Sequence, residues 1–168
     1  MKKIVFRDFV FIALLSAGAV VLNSIDMLIT MPFPYVRLGI AHIMTIVALY
    51  LVGIRAAGLV ILFKVIISAL LFGKIGAPGF MIAIAGNIGA YLFLIGGKRL
   101  FSIIPLSIGA AFCNNAAQAI IVFIFFVPHL EIIWLFAILL GIGILTGTGM
   151  GIVSKLLIER LSHGNRHH

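Results

Sequence analysis

Acidic residues are almost missing from this chain: its 168 residues include only four, Asp8, Asp26, Glu131 and Glu159. No two of them sit at a helical or loop spacing that would share a Mg²⁺ ion, which argues against the clustered-aspartate chemistry of a prenyl-diphosphate synthase. Cysteine occurs once, so Cys113 has no internal disulfide partner, and its apolar surroundings read as packing. HExxH, CxxC and nucleophile-elbow motifs are all absent. The run from Gly147 to Gly151 leads to Ser154 and Lys155, but it lacks the order of a phosphate-binding loop and lies inside an apolar segment. No cofactor and no catalysis are expected, and any ATP must be handled by another chain. Charge of either sign is scarce, at 10%, whereas hydrophobic residues make up 64% and the mean hydropathy is +1.33. That balance excludes an ordinary soluble domain and makes lipid the solvent. The net charge of +8 does not point to nucleic acid, because the basic residues stand singly or in pairs at the ends of apolar runs.

What is there is a series of long apolar segments. Charges and prolines divide the chain into six candidate spans at residues 9–25, 38–53, 56–73, 78–97, 100–127 and 132–157. The fifth is long enough to tilt or to bend near Pro105. The expected fold is an all-α integral membrane protein, with one six-helix domain over residues 1–161. No signal-peptide cleavage pattern follows the first span, so it is expected to stay as a permanent helix. The tail 162–168 reads as frayed, and His167 and His168 resemble the start of a purification tag. With the amino terminus inside, the inner segments hold Lys2, Lys3, Arg7, Arg55, Lys98, Arg99, Lys155, Arg160 and Arg166. The outer loops hold Arg37 and Lys74 only, and Lys64 completes the twelve. The excess of basic residues on one side predicts both termini in the cytoplasm.

Lys64 is the ninth of eighteen residues in the 56–73 span. At 1.5 Å per residue it lies about 13 Å from either end, beyond the comfortable reach of a lysine stem to water. A charge at that depth normally faces a cavity or a partner; the alternative is a helix shortened at Gly58 with the ammonium on carbonyl groups. Asn87 lies midway along the fourth span, and Asn114, Asn115 and Gln118 midway along the fifth, with Asn114 and Gln118 on one face at i, i+4. His42 lies one turn into the second. Single amides at such depth serve as helix glue; several at the depth of Lys64 favour a cavity for a small anionic solute. Asp26 and Glu131 are expected near the outer surface, Asp8 and Glu159 near the inner one. The first outer loop, Thr30 to Arg37, has two prolines that favour a stiff, extended course, and Arg37 is placed either to hold a carboxylate or phosphate or to anchor at the interface. Small residues recur as Gly143, Gly147 and Gly151, as Ala85 with Gly89, as Gly86 with Ala90, and as Ala13 with Ala17, where helices can approach closely.

The run MPFPYVRLGIAHIMTIVALYLVG, after a first helix with an Ala-x-x-x-Ala pair, resembles the family of Gx transporters, also filed as heptaprenyl diphosphate synthase component I. The resemblance extends from about Asp8 to Arg160 and is most specific at Pro34-Tyr35-Val36-Arg37-Leu38-Gly39. That family in turn is similar to the S components of energy-coupling factor transporters, six-helix substrate-binding subunits with an outward-facing pocket. The resemblance implies a membrane scaffold subunit and two ATPase subunits as partners, with Ala13 and Ala17 docking on the scaffold. It leaves the solute open between a vitamin and an isoprenoid or quinone precursor. Two readings stand. In one, the chain captures a solute for ATP-driven uptake, with Lys64, Arg37, Asn87, Asn114, Gln118 and His42 at the substrate. In the other, it is a non-catalytic membrane partner of a prenyl diphosphate synthase or redox complex, and the polar residues are glue.

Overall fold

The computed structural model describes residues 6–28, 39–125 and 132–164, and all regular structure within them is helical. Six helices follow one another: α1 (Phe6–Leu28), α2 (His42–Leu51), α3 (Ile54–Leu71), α4 (Pro78–Gly97), α5 (Ile103–Phe125) and α6 (Ile132–Gly164). All but α2 are long and apolar enough to cross a bilayer. Helices satisfy every backbone polar group within their own segment, which lipid demands. Their outward faces are accordingly apolar, with Leu92, Ile124 and Leu145 all more than half exposed.

The observed ends test the sequence reading. α4 starts with Pro78 in its first turn and stops before the basic pair Lys98 and Arg99, matching residues 78–97. α1 is longer than 9–25 at both ends, and α6 continues past residue 157. α5 begins at Ile103, so Pro105 occupies its first turn, where a missing N–H leaves no bond unmade, and no bend is needed there. α3 runs without interruption through Gly58, which instead receives Tyr91: a Cβ at Gly58 would lie 2.8 Å from the tyrosine oxygen.

α2 departs most from expectation. In place of a span over 38–53 it is a helix of 10 residues, about 15 Å long and half the thickness of a hydrocarbon core. Gly39, at φ 77°, turns the chain so that the His42 N–H donates to its carbonyl at 2.9 Å, and the helix starts only there. Gly53, at φ 134°, ends the other side, with its N–H on the Ala48 carbonyl at 2.9 Å. Both backbone conformations strain any residue with a Cβ. The short helix is enclosed by α1, α3, α5 and α6, which buries seven of its ten side chains.

Two seams are tight. Along α5 and α6, a Cβ at Gly147 would lie 2.8 Å from the Ile108 Cα, and one at Gly151 2.9 Å from the Ile104 Cα. Between α4 and α5, a Cβ at Gly89 would lie 2.8 Å from the Cys113 carbonyl oxygen. The glycine stripes therefore serve close backbone approach, as their spacing indicates. By contrast, α3 and α4 meet along little of their length. The α3–α4 turn lies at the end of the bundle where α1 finishes and α2 starts, opposite the beginning of α1 and the end of α6.

Candidate functional site

A band of buried polar side chains crosses the bundle toward the α3–α4 end. Its first group forms around Lys64, which is only 3% exposed. Its Nζ donates to Asn87 Oδ1 at 2.6 Å, and Asn87 Nδ2 donates to the Ala83 carbonyl at 2.7 Å. The second bond fixes the amide so that its oxygen, not its nitrogen, faces the ammonium. A hydrogen bond from a charged donor in such surroundings is among the stronger kinds. Beside it lies a small cavity of about 20 Å³ whose lining includes Asn23, Lys64, Ser68, Lys74, Phe80 and Asn87. That is room for a water or a similarly compact group, not for a whole vitamin. Ser68 is buried on the same face of α3, one turn from Lys64, and its Oγ has no hydrogen-bond partner among the described residues.

The second group joins α2, α5 and α6. His42 Nε2 lies 3.4 Å from Asn114 Oδ1, Asn114 Nδ2 donates to Asn115 Oδ1 at 3.2 Å, and Asn115 Nδ2 donates to the Leu139 carbonyl at 2.9 Å. Gln118 and Asn114 share a face as their spacing indicates, and Gly86 of α4 makes room for both. A Cβ there would lie 2.7 Å from Asn114 Oδ1 and from Gln118 Nε2. His42 Nδ1 and Thr45 Oγ1 are buried without a partner among the described residues.

The structure thus brings Lys64 to Asn87, and His42 to Asn114 and its neighbours, but the cavity at Lys64 is lined by none of His42, Asn114 and Gln118. Arg37, with the loop around it, and Glu131 lie outside the described residues. Ala13 and Ala17 are exposed on the outer face of α1, beside Val10, Leu14 and Val21. Asp26, two residues before the end of α1, is buried at 4% exposure, and its Oδ2 accepts the Gly39 N–H at 2.8 Å, tying the end of α1 to the turn before α2. Asn23 and Ser68 were missed. Each carried a usable signal, since Asn23 is an amide inside an apolar helix and Ser68 stands four residues from Lys64. Among the described residues no three of His, Cys, Asp and Glu converge as metal ligands. A buried ammonium, and a hydroxyl without a partner among the described residues, are donors at one cavity that suit the binding of an oxyanion.

The family model described as heptaprenyl diphosphate synthase component I matches residues 15–157. No curated protein and no solved structure matches the chain.

Proposed function

We propose, from the premise that this chain belongs to the heptaprenyl diphosphate synthase component I family, that it captures a small anionic solute as the membrane subunit of an ATP-driven uptake transporter. In this reading it is similar to the S components of energy-coupling factor transporters and is not itself an enzyme. It sits in a prokaryotic cytoplasmic membrane with both termini inside, α2 completing a sixth crossing together with its flanking residues. The observation that carries the reading is Lys64, buried at 3% exposure and held by Asn87 beside a cavity. Burying a charge at that depth costs about 2.5 kcal/mol or more, a cost that a purely structural helix has no reason to bear. His42, Asn114 and Gln118 form a separate buried group outside this cavity, and Arg37 is assigned to the entrance. The exposed Ala13 and Ala17 supply a smooth face for a scaffold subunit that carries two ATPases.

The family description favours a second reading, a non-catalytic membrane partner of a prenyl diphosphate synthase. Affinity purification from native membranes separates the two. Transport predicts recovery with an ATPase–scaffold module, lost when Ala13 and Ala17 are both replaced by Leu, and uptake abolished by Lys64→Met. Recovery with a prenyltransferase instead, unaffected by either change, establishes the second reading. Cysteine labelling in intact cells checks the orientation: a cysteine at Lys74 should react with an impermeant reagent, and one at Arg99 should not.

A further inference from the structure

The cavity at Lys64 has two properties that together narrow what it holds. It is far smaller than a solute, at about 20 Å³, and it is cationic, with Lys64 at its floor and Lys74 on its wall. Lys64 stands eight residues before Phe72, which caps the end of α3, so the floor lies about 12 Å below the α3–α4 turn. Lys74 belongs to that turn, its Nζ 5.8 Å from the centre of the Phe72 ring, at the level where a membrane protein meets head groups. The floor also presents the Ser68 hydroxyl, buried and without a partner among the described residues. Such a group has lost its hydrogen bond with water and can regain one from whatever enters the cavity. No carboxylate is among the described residues that line it.

The walls point the same way. The cavity is lined from α3 and α4, with Asn23 of α1 beside them; α3 and α4 meet along little of their length, and Val65, Ala69, Phe80 and Ala83 give the cavity an apolar lining. A compact polar end fits between the helices, and whatever is attached to it must lie outside the cavity, against apolar side chains at bilayer depth.

We infer that the site takes the oxyanion head of a membrane-resident amphiphile: a phosphate or carboxylate enters between Lys64, Ser68 and Lys74, while an apolar tail lies along the α3–α4 seam. The inference rests on reading the Lys64 cavity as a ligand site, but not on any ATPase module, so the two fail separately. The test uses the full chain in phosphatidylcholine nanodiscs, with dodecyl phosphate and inorganic phosphate as probes and native mass spectrometry and thermal shift as readouts. One dodecyl phosphate should bind per chain, saturably. Ser68→Ala and Lys74→Gln should each weaken it about fivefold, and Lys64→Met by more than tenfold. Inorganic phosphate should bind about 100-fold more weakly, since it lacks the methylenes that the seam would bury. Where Lys64→Met fails to fold, the Ser68→Ala and Lys74→Gln pair decides. Equal affinity for the two probes overturns the amphiphile and makes this a site for a water-borne anion. Dodecyl phosphate that binds without saturating, or binds the variants as tightly as the parent chain, overturns the site itself and shows only annular lipid.

Discussion

Two helix seams in this bundle are built on opposite principles. The α5–α6 seam has Gly143, Gly147 and Gly151 facing Ile104, Ile108, Ala111 and Asn115, so closely that a Cβ at Gly147 or Gly151 would meet backbone. The α3–α4 seam has Tyr91 seated on Gly58 near one end, Lys64 bonded to Asn87 further along, and little contact elsewhere. In lipid there is no hydrophobic drive between helices, so close backbone packing must hold the first together. The second gives up that packing for a charge and a cavity. A rigid half beside a loosely joined, polar half is the arrangement expected of a site that must admit something.

The largest effect should come from spoiling the tight seam. Gly147→Leu places a side chain against the Ile108 and Ser107 backbone, which cannot move aside, and should cost about 3 kcal/mol, read as a fall in folded yield and unfolding midpoint. A somewhat smaller loss, about 2 kcal/mol, should follow Asn87→Leu, because it leaves the Lys64 ammonium without the oxygen now 2.6 Å away. Adding Lys64→Met to Asn87→Leu should restore most of that loss; a double-mutant cycle without such coupling would show that the bond is incidental. Gly86→Ala tests the seam between these two. Its Cβ meets the ends of Asn114 and Gln118, side chains able to shift, so the cost should be only about 1 kcal/mol, with the amide chain to Leu139 disturbed. Gly149→Ala, on the open side of α6 with nothing within 4 Å, should be neutral or raise stability by a few tenths of a kcal/mol. Should Gly149→Ala prove as costly as Gly147→Leu, the contrast between the glycine faces is lost.

How much of this could be read beforehand follows from what a sequence encodes in lipid. Pro78 and the Lys98–Arg99 pair bound α4 correctly because prolines and charges mark helix ends whatever the tertiary context. The glycine stripes were read correctly because i, i+4 spacing fixes a face. α2 was misjudged because its apolar residues run on from Leu38 to Val52, while the limits at Gly39 and Gly53 are backbone turns that hydropathy does not register. In the site, depth was legible and rotation was not. Lys64 and Asn87 share a depth and do meet, whereas Asn114 and Gln118 share it too but turn to Gly86, away from the cavity. Nearly uniform hydrophobicity around each helix removes the amphipathic signal that would have told which side faces inward. For Asn23 and Ser68 too, residue type and spacing could be read, but not which way the side chain turns.

The position of α2 also sets an order in time. A 10-residue helix cannot hold a place across the bilayer unaided, so during synthesis it depends on α1 and α3 to keep it at depth. Part of its buried surface, at Val47 and Ala48, shares a cluster with Met150 of α6, which leaves the ribosome after α1 to α5. Until α6 arrives, that side of α2 lies open, with the central polar residue His42 on the same short helix. A chain that stops after α5 presents the quality-control machinery with an unfinished core rather than a smaller version of the same protein. Burial of α2 within this bundle therefore depends on the closure of α6 over it.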